Sequence, residues 1–229
     1  MPCLVSYAGR MPNAIIVPDE HYHIYNRGHN KQTLFFDRMD YVRMLFYLLF
    51  LQAPIPTYNT SRMVGSYLKK GYFSTSKKFS DDVLKNRSVH LEAFALMPNH
   101  FHLTVHELTE RGISEYLRKV EIAYTKYFNI RYKRFGYLFQ GPFQSVHVET
   151  NEQLLHLSAY IHHNIRDISQ WKRKEDLYPW SSYQDYVHEN RWDELLDTSV
   201  IMSQFKKPEE YKDFVKTSGT KESHVKILD

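Results

Sequence analysis

Two histidines separated by a single residue, His100 and His102, are the side chains with the clearest capacity for chemistry in this sequence. They open an alternating segment, residues 100–107 (HFHLTVHE), and this alternation predicts a β-strand. Because residues i and i+2 of a strand point to the same face, both imidazoles project together and provide half of a metal site. On the residues alone, the competing interpretation is two partly exposed histidines beside a hairpin turn, because short motifs often match by accident.

A predicted helix over residues 152–164 carries a second group of reactive side chains. Tyr160 and Asn164 are four residues apart and His156 lies four residues before Tyr160, so the three share one stripe of the helix. Asn164 would give a metal an oxygen ligand. A divalent cation beside Tyr160 would favour the phenolate, whose parent phenol has a pKa of about 10. On the residues alone, the competing interpretation is that Tyr160 packs in the core and Asn164 caps the helix. A further alternative is that His156 or His163 is the ligand.

Basic and aromatic side chains form a third feature of the sequence. Lysine and arginine neutralise phosphates, and exposed aromatic rings stack on unpaired bases. The alternative is an ordinary solvated helix face, which the nearby Glu115 and Glu121 favour. The candidate DNA contacts are Tyr25, Arg27, Arg118, Lys126, Arg131, Lys133 and Arg134.

Composition limits the classes of protein that this chain can be. Its 229 residues are 42% hydrophobic and 24% charged, as in a soluble globular protein with one large domain or a domain plus an appendage. The net charge of +4 favours a polyanionic partner. The single cysteine, Cys3, excludes an intramolecular disulfide and a cysteine-based zinc site. With no signal peptide and no apolar run of membrane length, we expect a cytoplasmic protein.

The elements that must position these residues alternate along the chain. The order strand, helix, strand, strand, helix, strand is the βαββαβ pattern of an α+β, ferredoxin-like (RRM-like) antiparallel sheet. Helices cover one face of such a sheet, so we expect the His100–His102 pair on an open face. The predicted strands are residues 20–27, 89–97, 100–107 and 143–149, and the predicted main helices are residues 37–51, 112–131 and 152–164.

Local signals predict the helix starts. Asp37, Ser114 and Thr150 are of the types that cap helices. We expect one domain over residues 1–186 with a helical insertion at 52–88. A helical extension and tail follow over residues 187–229. Residues 179–186 (PWSSYQDY) predict a loop packed by aromatic rings.

Several collinear segments resemble the HUH single-tyrosine transposases, and most closely the REP-associated tyrosine transposases. The resemblance runs from about residue 20 to residue 186, in the family's own order. It rests on residues 23–36 (HIYNRGHNKQTLFF), 95–107 (ALMPNHFHLTVHE), 135–143 (FGYLFQGPF), 154–164 (LLHLSAYIHHN) and 180–183 (WSSY).

The resemblance implies a metal-dependent endonuclease and strand transferase that acts on single-stranded DNA with hairpin elements, and it implies that the domain over residues 1–186 is catalytic. His100, His102 and Asn164 would bind Mg²⁺ or Mn²⁺, and Tyr160 would be the nucleophile that forms a 5′-phosphotyrosine. One departure from the family pattern is Ile165, where relatives often have a proline that stops the helix. The family contains monomers and dimers, so a homodimer stays open here.

Three other functions compete with a transposase at this stage. A domesticated hairpin-binding protein would keep the same residues without moving DNA. An RRM-like RNA-binding module would carry the histidines incidentally. A histidine–metal hydrolase of small molecules ranks last, because the sequence has no obvious carboxylate-rich site. There is also no glycine-rich phosphate loop, G-x-S-x-G elbow or H-E-x-x-H helix.

Overall fold

A four-stranded antiparallel sheet is the centre of the fold. The computed structural model describes residues 15–56 and 59–218, so Cys3 and the tail beyond residue 218 lie outside the described residues. The strands lie in the spatial order β2-β3-β1-β4, with each neighbouring pair antiparallel. This arrangement confirms the predicted ferredoxin-like fold. The strands are β1 (His21–Arg27), β2 (Val89–Met97), β3 (His100–Glu107) and β4 (Gln144–Val148).

Helices connect the strands and continue beyond the last one. The insertion over residues 52–88 contains two helices, as predicted. None of the helices in the described part of the chain combines the length and the apolar composition that a membrane span requires. The α-helices are α1 (Arg38–Phe50), α2 (Thr60–Lys70), α3 (Lys77–Asn86), α4 (Gly112–Arg131), α5 (Asn151–His163), α6 (Tyr183–Val187), α7 (Ser199–Met202) and α8 (Pro208–Ser218).

The prediction of a loop over residues 179–186 is wrong for residues 183–186, because α6 begins at Tyr183. Tyr183 and Tyr186 are three residues apart and lie on one side of this short helix, where both are buried. The aromatic side chains therefore pack as predicted, but on a helix.

One face of the sheet carries the larger apolar core. Tyr22 and Ile24 of β1, together with Phe101 and Leu103 of β3, point to this face and are fully buried. They pack in one cluster with side chains of α1 and α4. The alternation that placed Phe101 and Leu103 toward the helices is confirmed.

The other face of the sheet, which carries the histidines, is also covered, and the prediction of an open face is wrong. The helix α5 lies across β2, β3 and β4. The small side chains of Ala93 and Ala95 on β2 face it and pack with Leu157 and Ile161. Tyr211 of α8 belongs to the same cluster, so the C-terminal extension closes a second core. Local sequence patterns do not predict this cover, because the covering residues are distant along the chain.

A network of hydrogen bonds holds α5 in its place. His162 is fully buried, and burial lowers its pKa to about 3, so its imidazole is neutral. Its Nδ1 lies 2.7 Å from the hydroxyl of Tyr211, and its Nε2 lies 2.7 Å from the hydroxyl of Ser182. Ser182 in turn accepts a hydrogen bond from the backbone N–H of Phe94 on β2. This network joins α8, α5 and the sheet.

The helix starts depend on local and distant acceptors. Asp37 and Thr150 cap α1 and α5 as predicted. The prediction of Ser114 as the cap of α4 is wrong. The buried carboxylate of Glu107 accepts hydrogen bonds from the N–H groups of Gly112 and Ile113, at 2.9 and 2.5 Å. A carboxylate at this end also complements the helix dipole.

Arg131, a candidate DNA contact, has a structural partner. Its guanidinium lies 2.7 Å from Asp40 Oδ1 and also binds the carboxylate of Asp37. Asp40 is fully buried and further accepts hydrogen bonds from the hydroxyls of Tyr127 and Tyr132. Arg131 therefore joins the end of α4 to the start of α1.

We expect the variant Arg131→Ala to lose roughly 2 to 3 kcal/mol of unfolding free energy, because it leaves the buried Asp40 without its cation. The figure allows for the 26% exposure of the arginine side chain. Urea denaturation measures the change. Lys126→Ala, at an exposed position of the same helix, is the control, and its unfolding free energy should equal that of the wild type. An Arg131→Ala protein of unchanged stability would contradict this role.

Candidate active site

The histidine pair lies on β3, on the face that α5 covers. The rings of His100 and His102 are 5.1 Å apart between centroids and nearly perpendicular. His102 is only 6% exposed, whereas His100 is half-buried. His100 Nδ1 lies 2.7 Å from Asn99 Oδ1. When Nδ1 donates this hydrogen bond, the lone pair of His100 is on Nε2, the atom that would bind a metal.

A third histidine, His23 of β1, contacts the pair. Its Nε2 lies 2.9 Å from Nδ1 of His102, and both side chains are buried. Burial lowers the pKa of His23 to about 3. Burial, and then the neighbouring His23 and His100, also lower the pKa of His102 well below its usual range. Both imidazoles are therefore neutral near pH 7, the form that binds metals.

The contact between His23 and His102 decides which ring nitrogen of His102 can bind a metal. For Nε2 of His102 to be a ligand, Nδ1 must keep its proton and donate it to His23. Metal-binding histidines usually have such a partner, which fixes their tautomer and orientation. His23 was not among the predicted site residues. Its alternation with Tyr25 on β1 was the available signal, but only the pairing of β1 with β3 brings it to His102.

Tyr160 lies against the buried histidines. Its ring centroid is 5.7 Å from that of His102 and 6.1 Å from that of His23, and both contacts are edge-to-face. Tyr160 also packs against the second apolar cluster and is half-buried. The structure therefore brings together Tyr160 and His102, which are distant in sequence, within one chain.

Asn164 is the C-cap residue of α5, one turn after Tyr160. Its Nδ2 donates a hydrogen bond of 3.1 Å to the carbonyl of Tyr160, so its Oδ1 is the atom that could accept a cation. The chain continues as a 3₁₀ turn, Asn164–Asp167, in which Ile165 is buried. An isoleucine at this position therefore anchors the turn in the core, whereas a proline would only end the helix.

The two rival ligands on α5 have other surroundings. His156 packs against the ring of Phe214 on α8, at 5.4 Å between centroids. His163 lines a cavity of about 560 Å³ together with Arg166 and Lys212. Of the histidines on α5, neither rival is described in contact with the His100–His102 pair.

The candidate DNA contacts separate into groups. Tyr25 lies beside His102, with ring centroids 5.9 Å apart, and Arg27 is the register partner of His100. Arg118 forms an ion pair with Glu115 on the exposed face of α4. A shallow depression at the end of α4 is lined by Lys126, Lys133, Arg134 and Phe135, among others.

Comparisons with known proteins show what this chain is similar to. Residues 60–164, which include all four predicted metal and nucleophile positions, match the family model described as "Transposase IS200 like". No curated protein matches the chain at a significant level. A solved structure titled "Structure of the REP associates tyrosine transposase bound to a REP hairpin" is similar, with a TM-score of 0.54 and 11% identity over 83% of this chain and 93% of that chain. Both findings confirm the resemblance inferred from the sequence, and the solved structure supports the fold.

We expect His23→Ala to weaken Mn²⁺ binding at the histidine pair by about 10- to 100-fold, because Nδ1 of His102 loses its acceptor. Electron paramagnetic resonance of free Mn²⁺ measures the affinity. His23→Gln, whose amide oxygen can accept the same hydrogen bond, should restore part of it. His147→Ala, on the edge strand, is the control. Wild-type affinity in a folded His23→Ala protein would rule out this positioning role.

Proposed function

We propose that this chain is a metal-dependent endonuclease and strand transferase that acts on single-stranded DNA with hairpin elements. The observation that carries the proposal is the contact of Tyr160 with His102, inside the segment that matches the IS200-like transposase family. A tyrosine that packs against neutral, metal-binding imidazoles suits tyrosine-dependent phosphoryl transfer, because a bound metal ion would activate its hydroxyl.

His100 and His102, with Oδ1 of Asn164, would hold Mg²⁺ or Mn²⁺. The neutral imidazoles are able to coordinate a divalent ion, and the amide adds one oxygen of the kind that Mg²⁺ and Mn²⁺ prefer. When bound, the ion would polarise the scissile phosphate and offset the charge that develops on it. His23 would hold the ring of His102 in the ligand-forming tautomer.

Tyr160 would attack the phosphorus of the scissile phosphodiester. The hydroxyl of Tyr160 gives up its proton to solvent, its oxygen forms a new bond to phosphorus, and the bond to the 3′-oxygen breaks. That oxygen takes up a proton and leaves as a 3′-hydroxyl, while the 5′-phosphate stays on Tyr160. Attack by another 3′-hydroxyl reverses the step and rejoins DNA without ATP, because the phosphotyrosine conserves the energy of the broken bond.

The end of α4 and the loop after it would bind the DNA. Phe135 is 96% exposed and Tyr137 is 87% exposed, next to the basic residues Lys133 and Arg134. Exposed rings beside cations suit single-stranded nucleic acid. The loop also lies near the histidine pair, because Leu138 accepts a backbone hydrogen bond from His29, just beyond β1. The similar solved structure has a REP hairpin bound, which supports hairpin DNA as the ligand.

Two alternatives make different predictions. A domesticated hairpin-binding protein would bind DNA without cleaving it. An RRM-like module would bind RNA as tightly as DNA, and His100→Ala would leave this binding unchanged in the presence of Mn²⁺. The position of Tyr160 beside His102 of its own chain supports a site that one chain completes, although a homodimer is compatible with it.

We expect Tyr160→Phe to abolish the covalent protein–DNA adduct while leaving hairpin binding intact. Purified protein would be incubated with labelled single-stranded DNA from the gene's flanks, with Mn²⁺ or EDTA, and separated on a denaturing gel. Tyr72→Phe, at an exposed tyrosine, is the control. An adduct formed by Tyr160→Phe would refute Tyr160 as the nucleophile. Hairpin binding without an adduct in the wild type would favour the domesticated protein.

We expect Phe135→Ala and Tyr137→Ala each to weaken binding of single-stranded DNA by roughly 10-fold, because each removes one stacking ring. Fluorescence anisotropy of a labelled oligonucleotide measures the dissociation constant. Ile122→Ala removes an exposed apolar side chain of α4 that does not line the depression, so it is the control and should bind DNA as the wild type does. If Phe135→Ala and Tyr137→Ala both bound DNA with the wild-type affinity, the DNA-binding surface would lie elsewhere.

A further inference from the structure

A second cluster of metal-binding side chains lies on the same face of the sheet, away from the histidine pair. It consists of His21 on β1, Glu92 on β2 and His106 on β3, and we call it the His21–Glu92–His106 cluster. His21 and His106 are register partners on adjacent strands. The register of β2 shifts between Leu91 and Ala93, so Glu92 is the extra residue of a β-bulge. His106 lies four residues beyond His102, or about 13 Å along the strand.

We propose that the His21–Glu92–His106 cluster is a second metal site that binds a transition-metal ion, with Zn²⁺ as the best fit. One ligand atom from each residue lies within 4.8 Å of the other two. His21 Nδ1 and Glu92 Oε2 are already 3.0 Å apart, close to the roughly 3.3 Å between two ligands of a tetrahedral zinc ion. This site is independent of the proposed reaction at Tyr160.

The buried carboxylate of Glu92 is the second observation that points to a cation. Glu92 has 0% exposure, and its Oε1 has no hydrogen-bond partner among the described residues. A carboxylate buried with a single histidine partner is costly, because half of its acceptor capacity is unsatisfied. The backbone of Glu92 is fixed, since its carbonyl accepts a hydrogen bond from Tyr186. An ion between the three side chains would satisfy the carboxylate.

The donor set selects the class of ion. Two imidazoles and one carboxylate are a common ligand set of zinc, whereas calcium is bound through oxygen atoms. The rings of His21 and His106 are stacked at 4.4 Å, so the ring of His106 would turn to direct a nitrogen at the ion. A water would complete four ligands.

An ion pair next to the cluster, His90 with Asp197, would link this site to the C-terminal extension. His90 packs edge-to-face against His106, at 5.5 Å between centroids, and its Nδ1 lies 3.1 Å from the carboxylate of Asp197. Bound zinc would therefore join three strands directly and the segment after α6 indirectly. Its expected contribution is to stability.

The test uses full-length, tag-free protein stripped with EDTA. The double variant His100→Ala/His102→Ala removes the other pair of ligands, so that zinc bound by this protein reports the second site alone. Isothermal titration with Zn²⁺ should give one ion per chain. At a free zinc concentration 100 times the dissociation constant, the melting temperature should rise by roughly 5–10 °C.

In the same background, Glu92→Gln and His106→Gln should each weaken zinc binding by at least about 100-fold. His106 is half-buried, so its variant tests the site even if Glu92→Gln folds poorly. His147→Gln removes a histidine that pairs with Glu20 outside the cluster, and it should bind zinc as the background does. No zinc bound by the double variant, or unchanged binding in both cluster variants, would overturn the proposal. Neither result depends on DNA cleavage.

Discussion

The packing of α5 against the histidine-bearing face of the sheet is the interaction on which the candidate active site depends. Tyr160 reaches His102 only because this helix lies flat on β2, where Ala93 and Ala95 leave room for it. The apolar side chains of α5 hold the helix down, and the hydrogen bonds of His162 fix its position. The reactive groups thus sit at the edge of a core that is packed on both sides.

Covering a polar face removes its side chains from water, and hydrogen-bonded pairs offset part of that free-energy cost. His23 and His102 share one hydrogen bond, and the half-buried His21 shares another with the buried Glu92, so these side chains depend on partners from other strands. Such pairs lock rotamers, because a buried polar group without a partner is unfavourable, and in the described structure Oε1 of Glu92 is an exception. The partners of the imidazoles differ between the two ends of this face. One end brings neutral imidazoles to a tyrosine, and the other brings imidazoles to a carboxylate.

The sequence predicted the parts of this structure that depend on neighbours along the chain. The bounds of β2, β3 and α4 agree with the structure, because alternation and helical periodicity are local signals. The position of the His100–His102 pair on one face followed from the same alternation. The cap of α4 by Glu107, the role of Arg131 and the contact of His23 depend on distant pairings. No local pattern contains that information. The predicted boundary after residue 186 stays a prediction, although α8 packs in the second core.

The hydroxyl of Tyr211 on α8 determines what a truncation of this chain before α8 would destroy. It touches both His162 and Ser158 of α5, so the last helix helps to clamp the helix that carries Tyr160. A frameshift or stop codon just before α8 would leave His100, His102, Tyr160 and Asn164 intact in the reading frame. It would nevertheless remove part of the clamp and expose the buried imidazole. Inspection of those four codons alone would therefore miss the loss of the packing that holds Tyr160 against His102.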